Sequence, residues 1–457
     1  MLSRTCKLLS FAAVVATAAL QSAELPASAA SRIDAAVAKA LAESGAPSVS
    51  IAVVDDGGIA YTKAYGNARL DPATLARPEM RYSIGSVSKQ FMAGAILLLV
   101  QDGKLTLDDP VGRYLPNLTR AHDITIRELL SHTSGYQDYY PLDYVAPFMQ
   151  KPVTAGEILR KWAGKDLDFE PGTRWQYSNT NFVAAGLILE KVTGIPLMTF
   201  LRDRIFTPLK MTSVIDLAEG TMASTDAAGY TRFALGPARP VTPEGRGWLY
   251  AAGELAMTAH DLALWDISLI EHTLLTPATL DVMMTPVRLK NGGSTGYGLG
   301  VGIENVAGRA AMQHGGAVSG FVSLNTVWPD DRRAVVVFAN MDGSNSTGAI
   351  TNQVAAALNE SGSDLEEARQ IFTELQNGRI DRALLSSDAN AYFTAQVLAD
   401  AAASLKPLGK PETFRQTSKS LRGGMVYGHY QIGFPGKSLH LSTFKTPEGK
   451  LAQYLIQ

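Results

Sequence analysis

Two serines and a lysine fall within four positions of one another in RYSIGSVSKQFMAG, residues 81–94. A serine hydroxyl is a poor nucleophile until a base takes its proton. Lysine, with an ordinary pKa near ~10.4, is a poor base until burial or a neighbouring positive charge lowers that value. Geometry decides whether the two can meet, because residues three apart share a face of a helix but point to opposite faces of a strand. Ser86 and Lys89 open SVSKQFMAGAILLLVQ, residues 86–101, which is apolar on most sides after its first turn and reads as a buried helix stopped by Asp102-Gly103. At its start free N–H groups and the positive end of the helix dipole favour a developing oxyanion. Ser88 lacks the three-residue spacing and faces elsewhere. The pattern recurs as Ser442-Thr443-Phe444-Lys445, but in a β-rich run where hydroxyl and amine cannot converge. Taken alone, Ser-x-x-Lys is a weak signal that favours a helix cap at Ser86 followed by a solvated lysine.

Tyr-x-Asn pairs a phenol able to shuttle protons with an amide able to orient a lysine and a substrate carbonyl. It occurs as Tyr65-Gly66-Asn67, where Gly-Asn suits the turn closing a hairpin, and as Tyr177-Ser178-Asn179, after the loop-like FEPGTRWQ. The second is the better candidate; its structural alternative is a packed tyrosine beside a turn. His314-Gly315-Gly316-Ala317 reads as a turn before a β-like run, whose glycines would let a ligand approach the backbone and whose N–H groups could face Ser86. The histidines show no metal-site spacing, and no cofactor is expected. Gly292-Gly293-Ser294-Thr295-Gly296 matches the Gly-x-Ser-x-Gly elbow, but loop signals surround it and no helix follows, so Ser294 is structural.

These residues need elements to hold them. SRIDAAVAKALAESG has helical spacing, and PSVSIAVVDD and GIAYTKAYGN form a hairpin around Asp56-Gly57-Gly58. Short β-rich runs return in GYGLGVGIE, VSLNTVWP and AVVVFAN, so one sheet is built from both ends of this region. The aromatic-rich, mainly helical stretch of roughly 116–248 is inserted between them. Ser361-Gly362-Ser363 reads as a linker to residues 364–457, a small α+β module of two helical patterns and four β-like runs.

The leader, residues 1–29, carries Arg4 and Lys7, an apolar run from Leu8 to Leu20 and a small-residue site ending at Ala29. This is a signal-peptide pattern, shorter in its apolar run than the ~20 residues of a membrane span. It implies an exported protein, periplasmic or secreted, with no integral membrane segment in the mature chain. Cys6, the single cysteine, lies inside the leader, so the mature chain has no disulfide or cysteine nucleophile. With 41 Lys+Arg against 43 Asp+Glu and no basic run, nucleic acid is not an expected partner.

Tyr177 follows Ser86 by 91 positions and His314 follows Tyr177 by 137. With YSIGSVSKQF, GKLTLDDPVGRYLP, ITIRELLSHTSGY, FEPGTRWQYSNTNF, AAGELAMTAHDLALW, YGLGV and HGGAVSGF, this order resembles the beta-lactamase-related serine hydrolases. That group comprises class C beta-lactamases, D-Ala-D-Ala carboxypeptidases, D-aminopeptidases and esterases of the same fold. The resemblance implies an antiparallel sheet flanked by helices with an inserted helical domain, spanning residues 30–360, and a small-molecule ester, amide or D-amino-acid peptide as substrate. It implies that Ser86 is acylated, Lys89 is its hydrogen-bonded partner, Tyr177 is the general base and acid, and Asn179 contacts Lys89 and substrate. His314 stands where the beta-lactamase motif has lysine, Gly316 is that motif's closing glycine, and the N–H groups of Ser86 and Ala317 form the oxyanion hole. Which of Tyr177 and Lys89 is the base stays open. Gly315 lacks the threonine hydroxyl and His314 is largely neutral near pH 7, so carboxylate anchoring is weakened. The weight therefore moves from beta-lactamase or D-Ala-D-Ala carboxypeptidase to esterase or D-amino-acid amidase and peptidase. A non-hydrolytic cell-wall or beta-lactam binding protein is the alternative of a different class. The C-terminal module resembles cystatin-like or NTF2-like domains, with capping, self-association into a homo-oligomer and simple stabilisation as its open roles.

Overall fold

Strand β1 (Ser48–Asp55, SVSIAVVD) is apolar at most positions and buried as far as Val54, as a strand covered on both faces must be. The computed structural model describes residues 25, 27–218, 220–360 and 363–457. Residues 1–24 of the expected leader and Ser361-Gly362 of the expected linker lie outside the described residues. Helix α1 (Ala27–Ser44) leads into β1, and the chain turns at Asp56-Gly57 into β2 (Gly58–Leu70) and then β3 (Ala73–Leu75). After the middle region come β4 (Gly302–Val306), β5 (Arg309–Val318), β6 (Phe321–Trp328) and β7 (Arg333–Ala339). Together they form one antiparallel seven-stranded sheet in the order β3-β2-β1-β7-β6-β5-β4, drawn from both ends of the region as the sequence pattern implied.

The period of two along β1 and β7 divides the core. Val49, Ile51 and Val53, opposite Ala339, Val337 and Val335, pack under α1 and α5 (Ser346–Glu360) with Ile33, Val37, Ile350 and Val354. Ala52 and Val54, opposite Val336 and Ala334, face the other way, toward α2 (Ser88–Gln101) and α4 (Ala259–Ile270). Helix α2 is buried from Ser88 to Leu99, and a methyl group on its Gly94 would press on the Trp265 ring of α4 at 2.8 Å. Between α2 and α4 the chain places α3 (Asn179–Thr193) and shorter helices, two of them opened by capping boxes at Thr125/Glu128 and Thr154/Glu157. No described helix is by itself long and apolar enough to cross a membrane.

Residues 363–457 have a core of their own. Helices α6 (Ser363–Gln376) and α7 (Ala395–Leu405) accompany a four-stranded antiparallel meander, β8 (Thr413–Arg422), β9 (Met425–Phe434), β10 (Lys437–Lys445) and β11 (Leu451–Ile456). Phe372, Tyr430, Ile432, Leu441 and Tyr454 fill it. Lys445 lies on β10 and pairs with Asp364 and Glu367, away from any work with Ser442.

Two expected turns are strand. Tyr65-Gly66-Asn67 lies within β2, where Gly66 adopts φ +77° and the Pro47 carbonyl occupies the space a side chain would need. The Tyr65 hydroxyl donates to Asp34 of α1 at 2.6 Å, a structural tie. His314-Gly315-Gly316-Ala317 lies within β5.

Under the sheet, Asn325 Nδ2 donates to Asp266 at 2.7 Å and to Gln90 at 3.2 Å, and all three side chains are fully buried. Burial holds the Asp266 carboxyl well above the ordinary carboxylate range, against the opposing Asn325 bond. A raised acid in the folded state makes stability fall as pH climbs past the unfolded value of about 4, at about 1.4 kcal/mol per unit of elevation. Asp266→Asn should flatten that decline, measured as the difference in urea midpoints between pH 4.5 and 8 for variant and native chains. A native-like slope in the variant would show that Asp266 is not the titrating group.

Candidate active site

A 3-10 turn, Gly85–Val87, runs directly into α2, so Ser86 stands on the last turn before the helix and Lys89 on its first. The entry is crowded by design of the backbone. Gly85 has φ +49°, and a methyl group there would lie 2.9 Å from the Ala317 nitrogen; at Gly316 it would overlap the Ile84 carbonyl and the Ser323 hydroxyl. These two glycines let β5 close onto the Ser86 turn. Gly316 thus makes room for the protein's own chain, where the sequence pattern implied room for a ligand. Strand β4 pairs with β5 only as far as Gln313, which leaves residues 314–318 without a strand partner on that side. Gly315 and Ala317 are exposed there, and Ser86 is half-buried. Ser88 is spent differently: its hydroxyl accepts from Leu255 N–H at 3.2 Å, fastening Leu255–Met257 alongside Tyr82–Ser83.

Lys89 has no solvent exposure. Its Nζ lies 3.0 Å from Ser86 Oγ, 2.8 Å from Asn179 Oδ1 and 2.7 Å from the Ala252 carbonyl. Burial lowers its pKa to about 7, with Asp138 pulling the other way. The two carbonyl oxygens can only accept, so they hold two N–H groups in either protonation state. The third position of Nζ, proton or lone pair, then faces Ser86. Asp138 sets this up by accepting from the Asn179 backbone N–H at 2.9 Å and from Nδ2 at 3.1 Å, which turns Asn179 Oδ1 toward the amine.

Tyr177, just before α3, joins the group with its ring 5.0 Å from Lys89 Nζ. Burial raises its pKa, the adjacent Ser86 hydroxyl acts the other way, and Asp138 raises it further, so it is a neutral phenol at physiological pH. The His132 ring packs 4.3 Å from the Tyr177 ring, while His132 Nδ1 accepts from Ser178 N–H at 3.2 Å. Burial, then Lys89 and His314, hold His132 well below its ordinary pKa, making it a neutral wedge. His314 Nδ1 donates to the Gly315 carbonyl at 2.6 Å and Nε2 accepts from Tyr297 at 2.8 Å. Burial, with Lys89 adding to it and the Gly315 bond opposing, lowers His314 to about 3. It is neutral with both nitrogens engaged.

All the expected residues therefore meet: Ser86, Lys89, Tyr177, Asn179, His314, Gly316 and Ala317. Sequence reasoning missed Gly85, Asp138, the Ala252 carbonyl, His132 as support for Tyr177, and Tyr297. Tyr297 lies in the YGLGV stretch and Gly85 directly precedes Ser86, so both left a trace. Asp138, in GYQDYY, left none.

An antiparallel sheet with an inserted helical region, and a serine and a buried lysine three residues apart facing a tyrosine across the junction, define a class of acyl-transferring hydrolase. The chain belongs to the Beta-lactamase family, which it matches over residues 33–360, and it is a serine hydrolase. It is 28% identical over 308 residues to the putative penicillin-binding protein PbpX of Bacillus subtilis, covering 67% of this chain and 74% of that one. It is similar to a D-stereospecific amidohydrolase from a Streptomyces species, with 29% identity, TM-score 0.61, and coverage of 69% and 97%. An octameric penicillin-binding protein homologue from Pyrococcus abyssi shares the fold over 94% of this chain and 100% of its own, with 22% identity and TM-score 0.60.

An amine that titrates near 7 gives kcat/KM an acid limb centred there, rising with pH as Nζ loses its proton. Asp138→Asn removes the carboxylate that favours the charged amine, so the limb should move to lower pH. The loosened Asn179 should also cost roughly 10- to 100-fold in kcat/KM. A pH–rate profile of native and variant checks this, and a limb that stays in place would count against Lys89 as the titrating group.

Proposed function

We propose that Ser86 is the acylated nucleophile of a hydrolase acting on amides or esters of D-amino acids and on simple esters. The observation that carries this reading is the Lys89 amine, lowered to about 7 and left with one tetrahedral position directed at Ser86 Oγ. In acylation the Ser86 proton passes to Lys89 as Oγ bonds to the substrate carbonyl carbon. The oxyanion lies between the N–H groups of Ser86 and Ala317. As the C–N or C–O bond breaks, Tyr177 gives its phenolic proton to the leaving atom and recovers one from the Lys89 ammonium. Water reverses the sequence: it gives a proton to the same relay, attacks the acyl carbon and releases Ser86. Lys89 is then the base and Tyr177 the relay, which agrees with a neutral phenol.

The choice of substrate rests on what faces the reacting carbon. Neutral His314 and Gly315 offer neither a cation nor a hydroxyl to a substrate carboxylate, which argues against beta-lactams and D-Ala-D-Ala peptides. The similar Streptomyces enzyme is a D-stereospecific amidohydrolase. Export through the 1–29 leader belongs to the same reading, as does self-association, which an octameric homologue supports.

Ser86→Ala should lower turnover of p-nitrophenyl esters and D-aminoacyl anilides by several orders of magnitude and abolish fluorophosphonate labelling. A chromogenic cephalosporin should be a poor substrate of the native chain. Undiminished turnover in the variant would refute the assignment. Mass measurement of the protein recovered from the periplasm or medium should place its N-terminus near Ala30. Because Leu25 and Ala29, the latter in the first turn of α1, are packed in the core, the same measurement shows whether that turn stays with the mature chain. An intact Met1 in the cytoplasm would refute export.

A further inference from the structure

Beside the catalytic group lies a cleft of about 320 Å³ that the chemistry above does not use, walled by Tyr139, Tyr140, Phe148 and Trp162 with Lys165 also on its lining. This volume suits a small-molecule subsite. Its wall is rigid and aromatic: Trp162, Phe148 and Tyr139 pack with Trp248, the Tyr139 hydroxyl donates to the Trp248 carbonyl, and Trp248 Nε1 donates to Lys151 O at 2.7 Å. The cleft is joined to the site through Asp138, which lines it and grips Asn179. Tyr140 provides a second link, since its hydroxyl donates to Glu244 Oε1 at 2.8 Å, and the same oxygen accepts from Ser319 N–H at 3.2 Å.

Ser319 is two residues beyond Ala317, in the turn that joins β5 to β6. Glu244 thus puts a half-buried carboxylate at the end of β5, bonded on one side to Ser319 and on the other to Tyr140 of the cleft. Among the described residues no hydrogen bond uses its Oε2. Asp138 is committed to the Asn179 and Tyr140 N–H groups, so Glu244 is the acid with an oxygen left to offer. On the other side of the site His314 is neutral.

We infer that Glu244 and the aromatic cleft form an acyl-group subsite for a substrate bearing a free ammonium and a bulky apolar side chain, such as a hydrophobic aminoacyl amide. The ammonium pairs with Glu244 Oε2, and the side chain enters between Tyr140 and Phe148–Trp162. This rests on the hydrolase reading above and narrows it. Glu244 is a specificity-determining residue and takes no part in proton transfer.

The test measures kcat/KM of the full chain on phenylalanine and alanine p-nitroanilides, in the D and L series, each with a free and an acetylated amine. The native enzyme should favour free amine over acetylated and phenylalanine over alanine. Glu244→Gln should cut the free-to-acetylated ratio roughly tenfold or more, the worth of one charge-assisted hydrogen bond. Phe148→Ala should cut the phenylalanine-to-alanine ratio and leave the amine ratio in place. A native enzyme that prefers acetylated amines, or ratios unmoved by both variants, overturns the subsite. Activity that persists in Ser86→Ala would instead overturn the hydrolase reading, so the two failures are distinguishable. Circular dichroism and the thermal midpoint of each variant guard against misfolding, and retained turnover of the acetylated substrate by Glu244→Gln shows the catalytic group intact.

Discussion

A lysine amine with no access to water has to be satisfied by whatever oxygens the fold brings to it. Lys89 receives two that only accept, from Asn179 and the Ala252 carbonyl, and one, Ser86 Oγ, that can also donate. Burial lowers the amine to about 7, and the nearby Asp138 carboxylate keeps it from falling further. The site is therefore poised by two opposing effects of the same interior: desolvation that frees the lone pair, and a fixed negative charge that retains the proton part of the time. Much of the surrounding architecture bears on these five groups.

Helix α2 must be enclosed to desolvate Lys89, and the sheet, α4 and the inserted helices enclose it. Asn179 must point its oxygen inward, and Asp138 takes both the amide and backbone N–H groups to make it do so. The oxyanion position needs two chain segments closer than side chains allow. Gly85 and Gly316 provide that closeness by omitting Cβ atoms against Ala317 and Ile84. His132 fills the back of Tyr177 as an uncharged ring, so the phenol is fixed without adding a second positive charge beside Lys89. The replacement of the motif lysine by His314, with both nitrogens tied to Tyr297 and Gly315, has the same consequence.

The fold was largely legible because its signals are local or periodic. The apolar runs in SVSIAVVDD and AVVVFAN, the apolar helix after Ser86, and the Gly-rich turns of the last 90 or so residues each translate into elements seen here. The errors came where local chemistry was overruled. Gly66-Asn67 has turn residues, yet the Pro47 carbonyl packs on Gly66 inside a strand. His314-Gly315-Gly316 likewise reads as a turn and is strand, its second glycine dictated by Ile84, some 230 positions away in the chain. A propensity cannot report a contact whose partner is that remote.

The site divides along the same line. Ser86 and Lys89 could be paired from sequence because helical spacing alone puts them on one face, and the order of Tyr177-Ser178-Asn179 and His314-Gly315-Gly316 after them carried the family resemblance. The sequence by itself thus determined which residues are present, which of the two serines lies opposite the lysine, and that no thiol follows Cys6. Only the tertiary structure decided the lysine's charge, the orientation of Asn179, the neutrality of His314 and the position of Glu244 beside an aromatic cleft. Those properties depend on desolvation and on groups brought together from distant parts of the chain, and neither has a local signature in the order of residues.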